Sequence, residues 1–327
     1  ARYFSVAATG VLCGIIGWRL RHRYREYALT MQGTSIAILY LTALATLKLH
    51  SLLPPLLVFG IQVALVALMI FLAVVQNAKI LAQVAVLGGL ASPVLISDGS
   101  GNYIGLFTYL SLLNAGVAGV AWFKSWRSLN IIGAIGTFAI AVAWGMTSYK
   151  VEYFKVCQIF LIFHTTLYTL IVWRFAQHKA AENQSLPIVT DNNAPLAEVM
   201  SQWLQNLWHI GILDSSLLFG VAFSAFALQS GMSYSWQDGV MWSALGFAAF
   251  YASLGYWILR TSPKLKLVSE AMLFLALVFI TLAIGNGFDG WHKTTLWAIE
   301  ALLIYQFGIR QRAPISRVFG LGLFIGS

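Results

Sequence analysis

Eleven apolar runs, each close to twenty residues long, follow one another along this chain at about 3–18, 28–47, 55–75, 80–96, 103–123, 129–147, 156–175, 210–230, 239–259, 267–285 and 294–309. A bilayer core about 30 Å thick is crossed by ~20 helical residues rising about 1.5 Å each. Backbone polar groups cannot stay unpaired in lipid, so runs of this length must be helices. An apolar stretch from Pro314 onward adds a partial twelfth. The fold class predicted is an all-α integral membrane protein, a polytopic helical bundle of about 11–12 transmembrane helices.

Charge supports the same class. Lys, Arg, Asp and Glu make up 9% of the 327 residues, against about 25% in a soluble domain. The chain begins at Ala1 on an apolar run and ends inside another. It is therefore read as an internal piece of a longer protein, a single polytopic transmembrane domain over 1–327. Cys13 and Cys157 both fall inside apolar runs, where a thiol behaves as a small buried hydrophobe.

The basic residues set an orientation. Of the 20 Lys and Arg, only Arg2, Lys48, Lys150, Lys155 and Lys293 precede the first run or follow an even-numbered one. The rest follow odd-numbered runs, and the positive-inside rule then places the amino end of the chain outside. The Arg19-to-Arg25 stretch could be a patch for nucleic acid or anionic lipid, but it fits an anchor beside a span better. The long link over 176–209 is predicted to be cytoplasmic: a polar loop, then an interfacial amphipathic helix. From Pro195, that helix has Leu196, Val199, Met200, Trp203, Leu204, Leu207 and Trp208 on one face.

Three stretches carry a family resemblance: Gly33 to Thr42; Leu87 to Pro93 continuing through Ser100-Gly101-Asn102 to Asn114; and Gly290-Trp291 through Trp297-Ala298-Ile299-Glu300-Ala301 to Arg310-Gln311-Arg312. They resemble, in order and over nearly the whole length, the bacterial multi-pass membrane family called domain of unknown function 2339. The resemblance implies a bacterial inner-membrane setting and no catalytic residues.

Polar groups inside the runs are the candidate sites. An ionisable side chain at the centre of a span costs about 2.5–3.5 kcal/mol on insertion scales, and so marks a functional position by default. Glu300 lies mid-run in the eleventh span and His164 near the middle of the seventh; Asp214 and Glu270 lie about a turn inside the eighth and tenth. Each could belong to a proton or cation relay, or could bond a neighbour and hold the bundle together. For Asp214 and Glu270, reaching back to the interface is the simpler reading. Gly88, Gly89 and Pro93 loosen the fourth span as discontinuous transporter helices are loosened, and Asn114 in the next span could face the same point. A plain kink is the alternative, with Ala115, Gly116, Ala118 and Gly119 allowing close packing.

Enzyme signatures are missing: there is no His-Glu-x-x-His, no Gly-x-Ser-x-Gly and no Cys/His ligand spacing. Asp289, Trp291 and His292 gather in one outward turn, where the Asp and His could do acid–base work on an envelope substrate, although a cap with an interfacial tryptophan is the simpler reading. No cofactor, metal or nucleic acid is expected. The expected partners are the lipid bilayer and a small solute or lipid-linked envelope precursor, moved in the manner of a permease. The alternative is a membrane scaffold for envelope partners without transport or catalysis.

Overall fold

The computed structural model describes residues 2–48, 52–96, 102–182, 212–310, 320 and 322–324. Its helices are α1 (Arg2–Leu20), α2 (Arg25–Lys48), α3 (Pro55–Val75), α4 (Lys79–Ile96), α5 (Tyr103–Phe123), α6 (Arg127–Ser148) and α7 (Phe154–Glu182). They are followed by α8 (Ile212–Ser233), α9 (Gly239–Thr261), α10 (Lys266–Gly287) and α11 (Gly290–Arg310). No strand occurs among the described residues. Nine of their helices are long and apolar enough to cross a membrane; α4 is a shorter apolar helix. The chain is an all-α polytopic membrane bundle.

The helix boundaries have local causes. Pro54 caps α3 with Pro55 at its first position, where a missing N–H costs nothing. The Asn102 side chain accepts from the Gly105 amide at 2.9 Å and starts α5. Gly290 begins α11 at a φ of 57°, a backbone shape glycine adopts freely. α7 is longer than its apolar run: Gln177 to Glu182, expected as loop, continue the helix. The rest of that link, including the expected amphipathic helix, and most of the stretch after Pro314 lie outside the described residues.

The chain divides into two compact units, residues 1–171 and 172–327. In the first, α1 and α2 pack closely because α1 presents glycines. A Cβ on Gly10 would meet Ile38 and Leu39 at 3.1 Å, and one on Gly17 would meet the Ala28 carbonyl oxygen at 3.0 Å. The basic turn between these helices is used locally. Arg21 lies over the Trp18 ring at 3.8 Å. Arg25 donates to the carbonyls of Gln76 and Asn77 at 3.2 and 3.4 Å, satisfying the exposed end of α3. In the second unit, α9 and α10 pair through Gly255, whose carbonyl accepts from the Ser269 hydroxyl at 2.7 Å. Further along α10, Phe279 is fully buried, with Phe226 and Phe247 each 5.2 Å away and Tyr251 stacked at 5.9 Å.

Candidate functional site

The first unit holds Gly88, Gly89, Pro93, Asn114 and His164; the second holds Asp214, Glu270 and Glu300. Within the first, the proline region and Asn114 form two separate hydrogen-bonded sets.

Pro93 has no N–H, so the Gly89 carbonyl four residues earlier loses its donor within α4. The Tyr109 hydroxyl of α5 takes that place, donating to the Gly89 oxygen at 2.6 Å. One position back, the Tyr40 hydroxyl of α2 donates to the Gly88 oxygen at 3.0 Å while bonding to the Ser92 hydroxyl. α4 therefore runs through Pro93 without interruption, its loosened turn fastened by tyrosines from two other helices. Gly89 is where α5 approaches: a Cβ there would lie 2.8 Å from Leu113, whereas one on Gly88 would meet nothing within 4 Å.

The replacement of a helix donor by a tyrosine is testable with a double-mutant cycle. Y109F orphans the Gly89 carbonyl and is expected to lower stability by roughly 1 kcal/mol in detergent unfolding. With P93A the backbone N–H returns, and Y109F is then expected to cost less than half as much. Strict additivity would show that the two residues do not serve the same carbonyl.

Asn114 is fully buried and points away from that region. Its amide donates to Thr137 Oγ1 of α6 at 2.8 Å, and its oxygen accepts from the Tyr168 hydroxyl of α7 at 2.6 Å. One residue thus ties three helices together, and Gly133 makes room for it: a Cβ there would lie 2.7 Å from the Tyr168 hydroxyl. Of the small residues expected to allow close packing on α5, the two glycines do not act this way. Gly119 has nothing within 4 Å of a Cβ, and Gly116 meets only Ile70 at 3.7 Å. His164 lies one turn before Tyr168, its Nδ1 bonded to the Phe160 carbonyl at 2.7 Å and its buried ring also facing the Leu110 backbone of α5.

In the second unit Glu300 occupies the middle of α11 and is 8% exposed. Among the described residues it is the only acidic side chain that is buried. Its Oε1 accepts from the Thr281 hydroxyl of α10 at 2.9 Å, while Oε2 is buried with no hydrogen-bond partner. The Trp297 indole, one turn earlier, donates to the Thr281 carbonyl at 3.1 Å and holds α10 and α11 in register. Lys293 lies over the Trp297 ring at 5.2 Å. Glu270 is different: it is exposed on α10 and pairs with Lys266 at 3.7 Å. An exposed pair of this kind contributes about 0–1 kcal/mol. Asp214 falls in the first turn of α8, and its side chain lies outside the described residues. Trp291 is exposed and packs on His292 with ring centres 3.6 Å apart.

Sequence reasoning missed Tyr40, Ser92, Tyr109 and Tyr168. A tyrosine inside an apolar run was the available signal, since its hydroxyl needs a partner when buried. It also missed Gln62, fully buried in α3 with neither amide atom bonded, visible as a lone glutamine in an apolar run. No group of three or more metal-ligating side chains occurs among the described residues.

The family model of a predicted membrane protein family, DUF2339, matches residues 1–325. No curated protein and no solved structure matches the chain.

Proposed function

The chain belongs to the predicted membrane protein family DUF2339, and from that premise we propose that it carries a small solute or an envelope precursor across a bacterial cytoplasmic membrane, with Glu300 as the central group of the pathway. The observation that carries this reading is that the one buried acid among the described residues, Glu300, leaves its Oε2 without a partner. A polar atom removed from water without a bond is expensive, and native proteins keep few of them without a use. Asn114 and the Gly88–Pro93 stretch contrast with it, because their polar atoms are bonded to other helices. In this reading they hold the first unit together and His164 packs beside them. Glu270, with Lys266, stabilises an exposed end.

The fastened networks of the first unit also suit a scaffold without transport, and one comparison separates the two. A strain lacking the full-length protein is expected to redistribute at least one small solute or lipid-linked precursor across the membrane several-fold. Unchanged pools, with loss of a defined envelope complex that the wild-type protein restores, would favour the scaffold.

The orientation follows from the basic residues and has its own test. In a cysteine-free background, a cysteine replacing His22 is expected to react only with reagent supplied from the cytoplasm. One replacing Lys150 is expected to react from outside. The reverse pattern would turn the chain over.

A further inference from the structure

The surroundings of Glu300 point to the kind of ion it handles, and the inference rests on the transport reading above. We propose that Glu300 takes up a proton and does not bind a metal cation. A metal ion needs a shell of oxygen lone pairs: six to eight for calcium, and near-octahedral coordination for magnesium. Around Glu300 the described groups are donors or oxygens already engaged. The Thr281 hydroxyl donates toward Oε1 at 2.9 Å and toward the Leu277 carbonyl at 3.1 Å. The Thr281 carbonyl already receives the Trp297 indole N–H. Among the described residues, no second acid stands beside the Glu300 carboxylate to complete a cation shell. A proton needs one lone pair, and Oε2 offers it.

The nearby charges agree. On α11, Lys293 lies over the ring of Trp297, one turn from Glu300, and its positive charge disfavours a divalent ion there more than a single proton. His292 is two turns away against Trp291, and Tyr305 is the remaining described titratable group toward the other end of the helix. On α10, the element packed against this face, the titratable residues are Lys266 and Glu270. They lie eleven or more positions before Thr281, about 16 Å along the helix axis. None of them supplies a second anionic ligand.

The test uses the wild-type full-length protein in membrane vesicles and dicyclohexylcarbodiimide, an apolar reagent that modifies a carboxyl group only when it holds a proton. Modification of the peptide containing Glu300 is measured by mass spectrometry. It is expected at acidic pH, falling about tenfold per pH unit above the group's own midpoint, and unaffected at fixed pH by sodium, potassium or magnesium. Protection by one of those cations would overturn the proton assignment and leave the transport reading standing. Absence of modification at every pH, in protein shown to be intact, would overturn it too. Proton-dependent modification together with normal solute pools in an E300Q strain would keep this inference and remove transport.

Discussion

Gly133→Ala is expected to be a strongly destabilising single-methyl change in the first unit. The added Cβ would sit 2.7 Å from the Tyr168 hydroxyl, and Tyr168 is fully buried, with no open side to move toward. Overpacking a filled interior costs about 1–3 kcal/mol. Displacing the hydroxyl also leaves the Asn114 oxygen without its donor, which adds about 1 kcal/mol. The total expected is roughly 2–4 kcal/mol, read as a lower midpoint in detergent unfolding and a lower level in the membrane. Y168F removes the oxygen that clashes. G133A/Y168F is therefore expected to be more stable than G133A alone, although Y168F by itself is destabilising. Gly88→Ala is the control, since its Cβ meets nothing within 4 Å. It is expected to fall between no effect and about 1 kcal/mol of stabilisation from helix propensity. A Gly133→Ala protein as stable as the Gly88→Ala protein would remove the close packing around Asn114.

Glu300→Gln is expected to have the largest functional effect and a small structural one. Glutamine keeps the size of the side chain and an oxygen to accept from Thr281, so the contact between α10 and α11 persists. What disappears is the group that gains and loses a proton. Activity per molecule is expected to fall at least tenfold, the scale seen when a group required in a rate-limiting step is removed. Membrane abundance is expected to stay close to that of the wild type. Glu270→Gln is a useful contrast. It removes one exposed partner of Lys266 and is expected to leave both activity and abundance unchanged, within about 0.5 kcal/mol of stability.

The two substitutions also show what the sequence could and could not reveal. The helices were visible because a run near twenty apolar residues in lipid has one solution; the described helices sit on those runs, and nine of them are long and apolar enough to cross a membrane. α7 was underestimated because Gln177 to Glu182 are polar, and hydropathy reports the lipid boundary rather than the helix end. Glu300 was legible as a carboxyl inside such a run, and Glu270 as one near a run's end. Their partners were harder to foresee. Asn114 bonds residues 23 and 54 positions away, and those pairings depend on how helices turn toward one another. Pro93 was legible as a lost backbone donor, but the tyrosine that compensates, Tyr109, comes from α5. Gly133 resembles Gly119 in sequence and differs only in what stands opposite it.

The most direct measurement is complementation by E300Q, normalised to its level in the membrane, in a strain lacking the protein. Transport through Glu300 requires normal abundance with the altered solute or precursor pools left uncorrected. Full correction of those pools by E300Q at wild-type abundance would contradict it, leaving Glu300 as one more bond between α10 and α11.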